Sequence, residues 1–183
     1  ANAQTGNIVL LSQHIFAGNW ADVMRYLMPV LSFMFGVAAA TEIRQHFQNI
    51  GRIHWRQIVI LIEMSMLFLV GFLPGKMDLV ANAFVSFSCA MQVQTFRKVD
   101  SYAFASTMCI GNIRSGMEAL CAYRQSHNRQ ILYKAFHYFG IIILFAFGAG
   151  IGSILIPVFN LQTIWFSSFL LMVGFFLMFI QEK

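Results

Sequence analysis

The chain has 183 residues, of which 58% are hydrophobic and 10% are charged, giving a mean hydropathy of +0.68. So little polar side chain cannot clothe a water-soluble globule, so the composition excludes that class and makes the bilayer the solvent. The net charge of +5 does not point to nucleic acid either, because the basic residues lie between apolar runs rather than in a dense patch with interleaved aromatics.

The chain opens at Ala1 without a basic leader segment, and sequence upstream of it is expected. Residues 2–17 carry Gly6-Asn7 and precede the first long apolar run. Five stretches are long and apolar enough to span: 26–43, 57–73, 79–96, 135–156 and 163–180. Each approaches the ~20 residues that a helix needs to cross ~30 Å of hydrocarbon. Between the third and fourth lies residues 102–113, YAFASTMCIGNI, too short to span and suited to a re-entrant or interfacial segment. Gly and Asn both tolerate backbone geometry that interrupts helices, so Gly6-Asn7 and Gly111-Asn112 are expected to break a helix and present an N-terminus to the protein interior. The cysteines Cys89, Cys109 and Cys121 have no C-x-x-C spacing and read as packed thiols rather than a disulfide or metal site.

The basic residues orient these spans. Arg44, Arg52 and Arg56 follow the first; Arg97, Lys98, Arg114, Arg124, Arg129 and Lys134 follow the third; Lys183 follows the fifth. Only Arg25 and Lys76 fall on the opposite side. The positive-inside rule therefore puts the larger group, and the C-terminus, in the cytoplasm. The first span then runs inward and the fourth outward.

Those two spans also resemble each other. Residues 26–41 read YLMPVLSFMFGVAAAT and residues 138–153 read YFGIIILFAFGAGIGS, so Tyr26, Phe33, Phe35 and Gly36 recur as Tyr138, Phe145, Phe147 and Gly148. Small residues stay small at Ala38/Gly150, Ala40/Gly152 and Thr41/Ser153, and each copy has its Gly-Asn pair upstream. The expected fold is an all-α polytopic transmembrane bundle with an inverted 3+3 repeat. Its first half is 1–77, lacking an opening helix expected before Ala1, and its second half is 78–183.

Thr5-Gly6-Asn7-Ile8-Val9, the Phe33-x-Phe35-Gly36 span, and Met91-Gln92-Val93-Gln94 followed by Gly111-Asn112 together resemble the YoaK-like membrane proteins, a bacterial family of unknown function. The resemblance covers essentially the whole chain. It implies a six-span protein of the bacterial inner membrane, and it names no substrate. Ile110 stands before Gly111 where the first copy has Thr5.

Glu63 is the foremost candidate for chemistry, because an acidic residue at the centre of a span costs about 2.5–3.5 kcal/mol on insertion scales. It reads either as a coupling or binding carboxylate or as a neutral acid bonded to a neighbouring helix. In the Val70-Gly71-Phe72 to Val173-Gly174-Phe175 match its counterpart is Phe166. Ser88, Gln92 and Thr95 share one helical face, with Asn82 and Ser86 on a neighbouring stripe, and line a polar path or bond between helices. Arg114 follows the second Gly-Asn pair closely enough to help hold an anion, or it pairs with Glu118 four residues on. Gly36-x-x-x-Ala40 and Gly148-x-x-x-Gly152 allow close helix approach, and the two spans are expected to cross near a pseudo-symmetry axis. His137 and Arg25 precede tyrosines as interfacial anchors, and His46 and His54 lack metal-ligand spacing.

The absence of catalytic and nucleotide-binding motifs argues against an enzyme, and no cofactor or metal is expected. The expected function is a secondary transporter of a small polar or anionic solute, possessing Asn7, Asn112, Glu63, Gln92 and Arg114 as binding residues. A channel for a small solute or ion, or a scaffold binding lipid or a partner protein, are the alternatives. The expected partners are the lipid bilayer and the solute, with the small-residue faces also suited to a homo-oligomer.

Overall fold

A computed structural model of the chain describes residues 3–48, 54–99, 102–103 and 109–181. Its elements in order are α1 (Gln4–Phe16), α2 (Trp20–Phe47), α3 (Trp55–Val70), α4 (Asp78–Thr95), β1 (Lys98–Val99), β2 (Tyr102–Ala103), α5 (Cys109–Ser126), α6 (Arg129–Phe159) and α7 (Ile164–Gln181). The two short strands pair antiparallel, Lys98 opposite Ala103 and Val99 opposite Tyr102. Everything else regular is helical, and each of the five expected spans falls on one of α2, α3, α4, α6 and α7. Arg52, Lys183 and residues 104–108 of the expected re-entrant segment lie outside the described residues.

Local chemistry sets several boundaries. Gly18, at φ +70°, makes the left-handed turn between α1 and α2, a conformation open to glycine without a Cβ penalty. Asn19 then donates from Nδ2 to Asp22 at 2.8 Å, placing an acid in the first turn of α2. At the start of α3, the His54 ring nitrogen accepts from the Arg56 N–H and the Gln57 Oε1 accepts from the His54 N–H, both at 3.2 Å. Those reciprocal bonds satisfy donors that the first turn would leave orphaned. Pro74 cannot continue α3, and a 3-10 turn over Gly75–Met77 leads into α4. Asn128 accepts from the Gln130 N–H at 2.9 Å as α6 begins.

Two compact units emerge: Ala1–Thr95 with Phe159–Lys183, and Phe96–Val158. In the first, α2 packs along α4, α1 along α2, and α3 against both α4 and α7. Ala40, Trp55, Val59 and Met91 form its apolar centre, with Ile43, Ile62 and Phe87 packed around them. Gly36 is what brings α2 onto α4, because an added Cβ there would collide with the Phe87 carbonyl oxygen and lie 2.8 Å from the Ala90 Cβ. The α3–α7 contact is fixed by two bonds to main-chain oxygens: Trp165 Nε1 donates to Phe68 at 3.1 Å and Ser168 Oγ to Met64 at 3.0 Å. The Trp165 ring also packs against Phe68 and Phe72, and a Cβ on Gly71 would strike its indole.

In the second unit, Asn112, Gly116 and Ala119 are buried along one face of α5. Gly116 lies against α6, where an added Cβ would be 3.1 Å from the Phe139 ring and 3.3 Å from the Tyr138 Cβ. At Gly148 and Gly152 such a Cβ meets no neighbouring atom within 4 Å. The two small-xxx-small patterns therefore behave differently: the first is a packing surface against α4, and the second is open along α6.

Alongside its apolar centre, the chain buries several polar side chains and turns many bulky apolar ones outward. Gln57, Glu63, Ser86, Ser88, Thr95, Asn112 and Ser168 are buried, whereas Leu144 and Ile154 on α6 are 73% and 72% exposed. Bulky apolar side chains turned outward around helices are stable in hydrocarbon and unfavourable in water. Two stretches, Trp20–Phe47 and Arg129–Met178, are each long and apolar enough to cross a membrane. The 28 residues of α2 extend about 42 Å, more than the ~30 Å hydrocarbon thickness. By contrast α3 has 16 residues, about 24 Å, and α4 carries the Asn82, Ser86, Ser88, Gln92 and Thr95 stripes that lower its apolar character.

Candidate functional site

Glu63 lies on the buried face of α3, two turns from its start. Val59, one turn earlier, belongs to the apolar centre that also holds Met91 of α4. The Glu63 side chain is 1% exposed, and its Oε1 has no hydrogen-bond partner among the described residues. No described cation forms an ion pair with it. A carboxyl group in such a position can bind a proton, a cation or a hydrogen-bonding solute, and each would supply the missing partner.

The polar stripes on α4 flank this carboxyl's helix. Ser88 and Thr95 are buried and Gln92 is half-buried, so the face expected from their spacing does turn toward protein. Gln94, on a different stripe, donates from Nε2 to Thr41 Oγ1 at 3.1 Å, and Thr41 in turn donates to the Val37 carbonyl at 2.8 Å. This α2–α4 bond joins residues 53 positions apart. Sequence reasoning marked Thr41 as a small residue kept small in the repeat, without its partner. Thr41→Val is expected to destabilise the α2–α4 pair by about 0.6 kcal/mol, the usual worth of such a bond between membrane helices. Equilibrium unfolding in mixed micelles would measure it, with Gln94→Leu and the double variant completing the cycle.

Gly6-Asn7 are the third and fourth residues of α1, and Gly111-Asn112 lie within α5, close to where the described residues resume at Cys109. Neither pair interrupts a described helix, which corrects the expected break. At Gly6-Asn7 the first-turn N–H groups are free of intrahelical bonds, and the positive end of the α1 dipole falls there. Asn7 is half-buried and donates to Gln4 Oε1 at 3.2 Å, while Asn112 is buried in the second unit.

Arg114 is occupied by a neighbouring acid on α5. Its guanidinium Nε donates to Glu118 at 2.8 Å across one exposed turn of α5, the side chains being 80% and 62% exposed. That bond raises the already high guanidinium pKa. Of the five residues expected to bind solute, Asn7, Glu63 and Gln92 belong to the first unit, and Asn112 and Arg114 to the second. Glu63 and Gln92 stand on helices in direct contact.

Gln57 was missed by sequence reasoning. It is 1% exposed, and its Nε2 lacks a hydrogen-bond partner among the described residues, as does the Thr95 Oγ1. An amide at the beginning of a span reads as an ordinary interfacial residue, and only its burial sets it apart. Among the described residues, no three His, Cys, Asp or Glu side chains gather as metal ligands would.

A helical protein with membrane-competent stretches, apolar surfaces and a buried carboxyl is the class that this arrangement defines. Residues 1–177 match the model of a family described as protein of unknown function (DUF1275), and the chain belongs to that family. No curated protein and no solved structure matches it.

Proposed function

We propose that the chain is a multi-pass carrier of the bacterial inner membrane, moving a small polar or anionic solute in exchange for, or together with, protons. The observation that carries this reading is Glu63, a fully buried carboxyl with an oxygen lacking a hydrogen-bond partner among the described residues, on a helix within an apolar bundle. The Tyr26/Tyr138 sequence repeat, with a Gly-Asn pair upstream of each copy, supports two related halves, 1–77 and 78–183. In this reading the halves insert with opposite polarity, α2 runs inward, α6 runs outward, and the C-terminus is cytoplasmic.

Alternating access then follows from exchanging the conformations of two similar halves around one site. Glu63 carries the proton, Asn7 offers its amide at the N-terminal turn of α1, Gln92 contributes an amide from α4, and Asn112 offers another within the second unit. Arg114 attracts anions from its exposed turn. Gly36 and Ala40 form the tight contact on which the first half pivots, and Gly148 and Gly152 leave α6 free to move. No enzymatic step is assigned.

Purified protein in vesicles loaded with a pH-sensitive dye tests this directly. Addition of individual small polar solutes and carboxylates is expected to produce solute-dependent proton flux that saturates and shows counterflow. Flux lacking saturation, or unitary currents, would instead identify a channel. If no solute moves protons in the wild type, or Glu63→Gln leaves coupled flux unchanged, the proton-coupled carrier is refuted.

A further inference from the structure

Two guanidiniums from different helices converge on one indole. Arg44, in the last turn of α2, places its Cζ 5.7 Å from the centre of the Trp55 ring, and Arg56, the second residue of α3, places its own 5.5 Å away. Those two distances together cap the separation of the cations at about 11 Å. Each lies within range of a cation–π contact, which uses the flat face of a guanidinium and leaves the N–H donors along its edge free to bond.

Nothing acidic takes those donors. Among the described residues no Asp or Glu pairs with Arg44 or Arg56, and Glu42, two positions before Arg44, lies 3.5 Å from His46 instead. Arg44 is exposed, whereas the Arg56 Nε is buried without a hydrogen-bond partner among the described residues. Like charges gathered on one buried ring repel, and a buried N–H without an acceptor is costly. An anion within reach of both relieves the two penalties at once. The main-chain N–H groups that open α3 are already engaged in the His54 and Gln57 cap, so recognition falls to the guanidiniums.

The core fixes where the pair stands. Ala40 of α2, Trp55 of α3 and Met91 of α4 share one apolar cluster. Arg44 is one turn beyond Ala40, and Arg97 follows the end of α4 six residues beyond Met91, so arginines gather where all three helices leave the apolar bundle. Tryptophan and basic residues favour that depth, at the level of lipid headgroups. We propose that Arg44 and Arg56, gathered on Trp55, bind the phosphate of an anionic phospholipid. A guanidinium matches phosphate with paired N–H donors, and stacking on Trp55 holds both forks in place. A zwitterionic headgroup brings its own ammonium, which two cations without a neighbouring acid disfavour. The positive-inside rule assigns these arginines to the cytoplasmic side, where anionic lipid attracts basic segments. The site requires a membrane protein and does not depend on transport.

Native mass spectrometry of the purified full chain, titrated with single lipids, measures the binding. Phosphatidylglycerol is expected to bind several-fold more tightly than phosphatidylethanolamine with the same acyl chains. Arg44→Gln and Arg56→Gln should each weaken phosphatidylglycerol binding about five-fold, the worth of one basic residue at an anionic surface. Arg124→Gln, which removes an exposed charge from α5, should leave it unchanged. Equal affinity of the wild type for the two lipids, or an Arg124→Gln loss as large as the others, overturns the site and leaves only diffuse surface charge. Glycerol phosphate and inorganic phosphate, added as competitors, identify the source: displacement of the lipid by either at the lipid's own concentration makes the ligand a soluble anion and overturns the lipid assignment. The lipid comparison is made on the wild type, so it decides even if a variant does not fold. Selective phosphatidylglycerol binding without any solute-coupled proton flux would uphold the lipid site and remove only the carrier.

Discussion

Glu63→Leu is expected to yield a more stable protein that has lost proton-coupled transport. Leucine fills a similar volume and removes a buried oxygen that has no partner among the described residues. Leaving such a group unsatisfied costs about 1–3 kcal/mol, and apolar replacement of buried ionisable groups is often stabilising for the same reason. For a chain of this size the gain corresponds to roughly 2–12 °C in Tm. Thermal unfolding in detergent and dye-reported proton flux in vesicles, performed on the same preparation, would establish both halves of the result. Glu63→Gln separates the causes, since it keeps a hydrogen-bonding group and loses only the exchangeable proton. A destabilised Glu63→Leu protein would mean that the carboxyl is bonded in the folded state and serves structure.

The second large effect distinguishes the two repeated glycines. Gly36→Ala forces a methyl into the Phe87 carbonyl oxygen and the Ala90 Cβ, so α2 and α4 must separate. Backbone is the obstacle, and it cannot swing aside as a flexible side chain would. Overpacking of this kind costs about 1–3 kcal/mol. At Gly148 the same substitution meets no atom within 4 Å, and alanine's better helix propensity favours it by up to about 1 kcal/mol. Opposite signs at matched positions are therefore expected in a folding assay. If both substitutions destabilise equally, the second pattern is also a packing face, supplied by a contact of α6 with another chain. Transport adds an independent measure: Gly148→Ala should slow turnover if freedom along α6 contributes to the cycle, even though it stabilises the fold.

Much of the helical organisation can be read directly from the chain. Hydropathy and span length are properties of contiguous residues, so α2, α3, α4, α6 and α7 appear where the apolar runs lie. The Gly-Asn pairs were legible as special places, but their consequence was not: both glycines sit within described helices, Gly6 in the first turn of α1 and Gly111 in α5. The polar face of α4 was likewise visible from the spacing of Ser88, Gln92 and Thr95, because a helix repeats every 3.6 residues.

What a local pattern cannot hold is the identity of a partner far along the chain. The Gln94–Thr41 bond closes 53 residues and the Trp165–Phe68 bond closes 97, and nothing in either neighbourhood names the other. The same limit separates Gly36 from Gly148, matched in sequence context and different in what faces them. It also hid Gln57, an unremarkable amide until packing buried it. By itself, then, the sequence determined the apolar character of the long runs, the helices they form and the presence of a lone carboxyl within one of them. Tertiary packing alone decided which polar atoms are buried without a partner among the described residues and which glycine is closed, because burial is created only when surfaces remote in the chain meet.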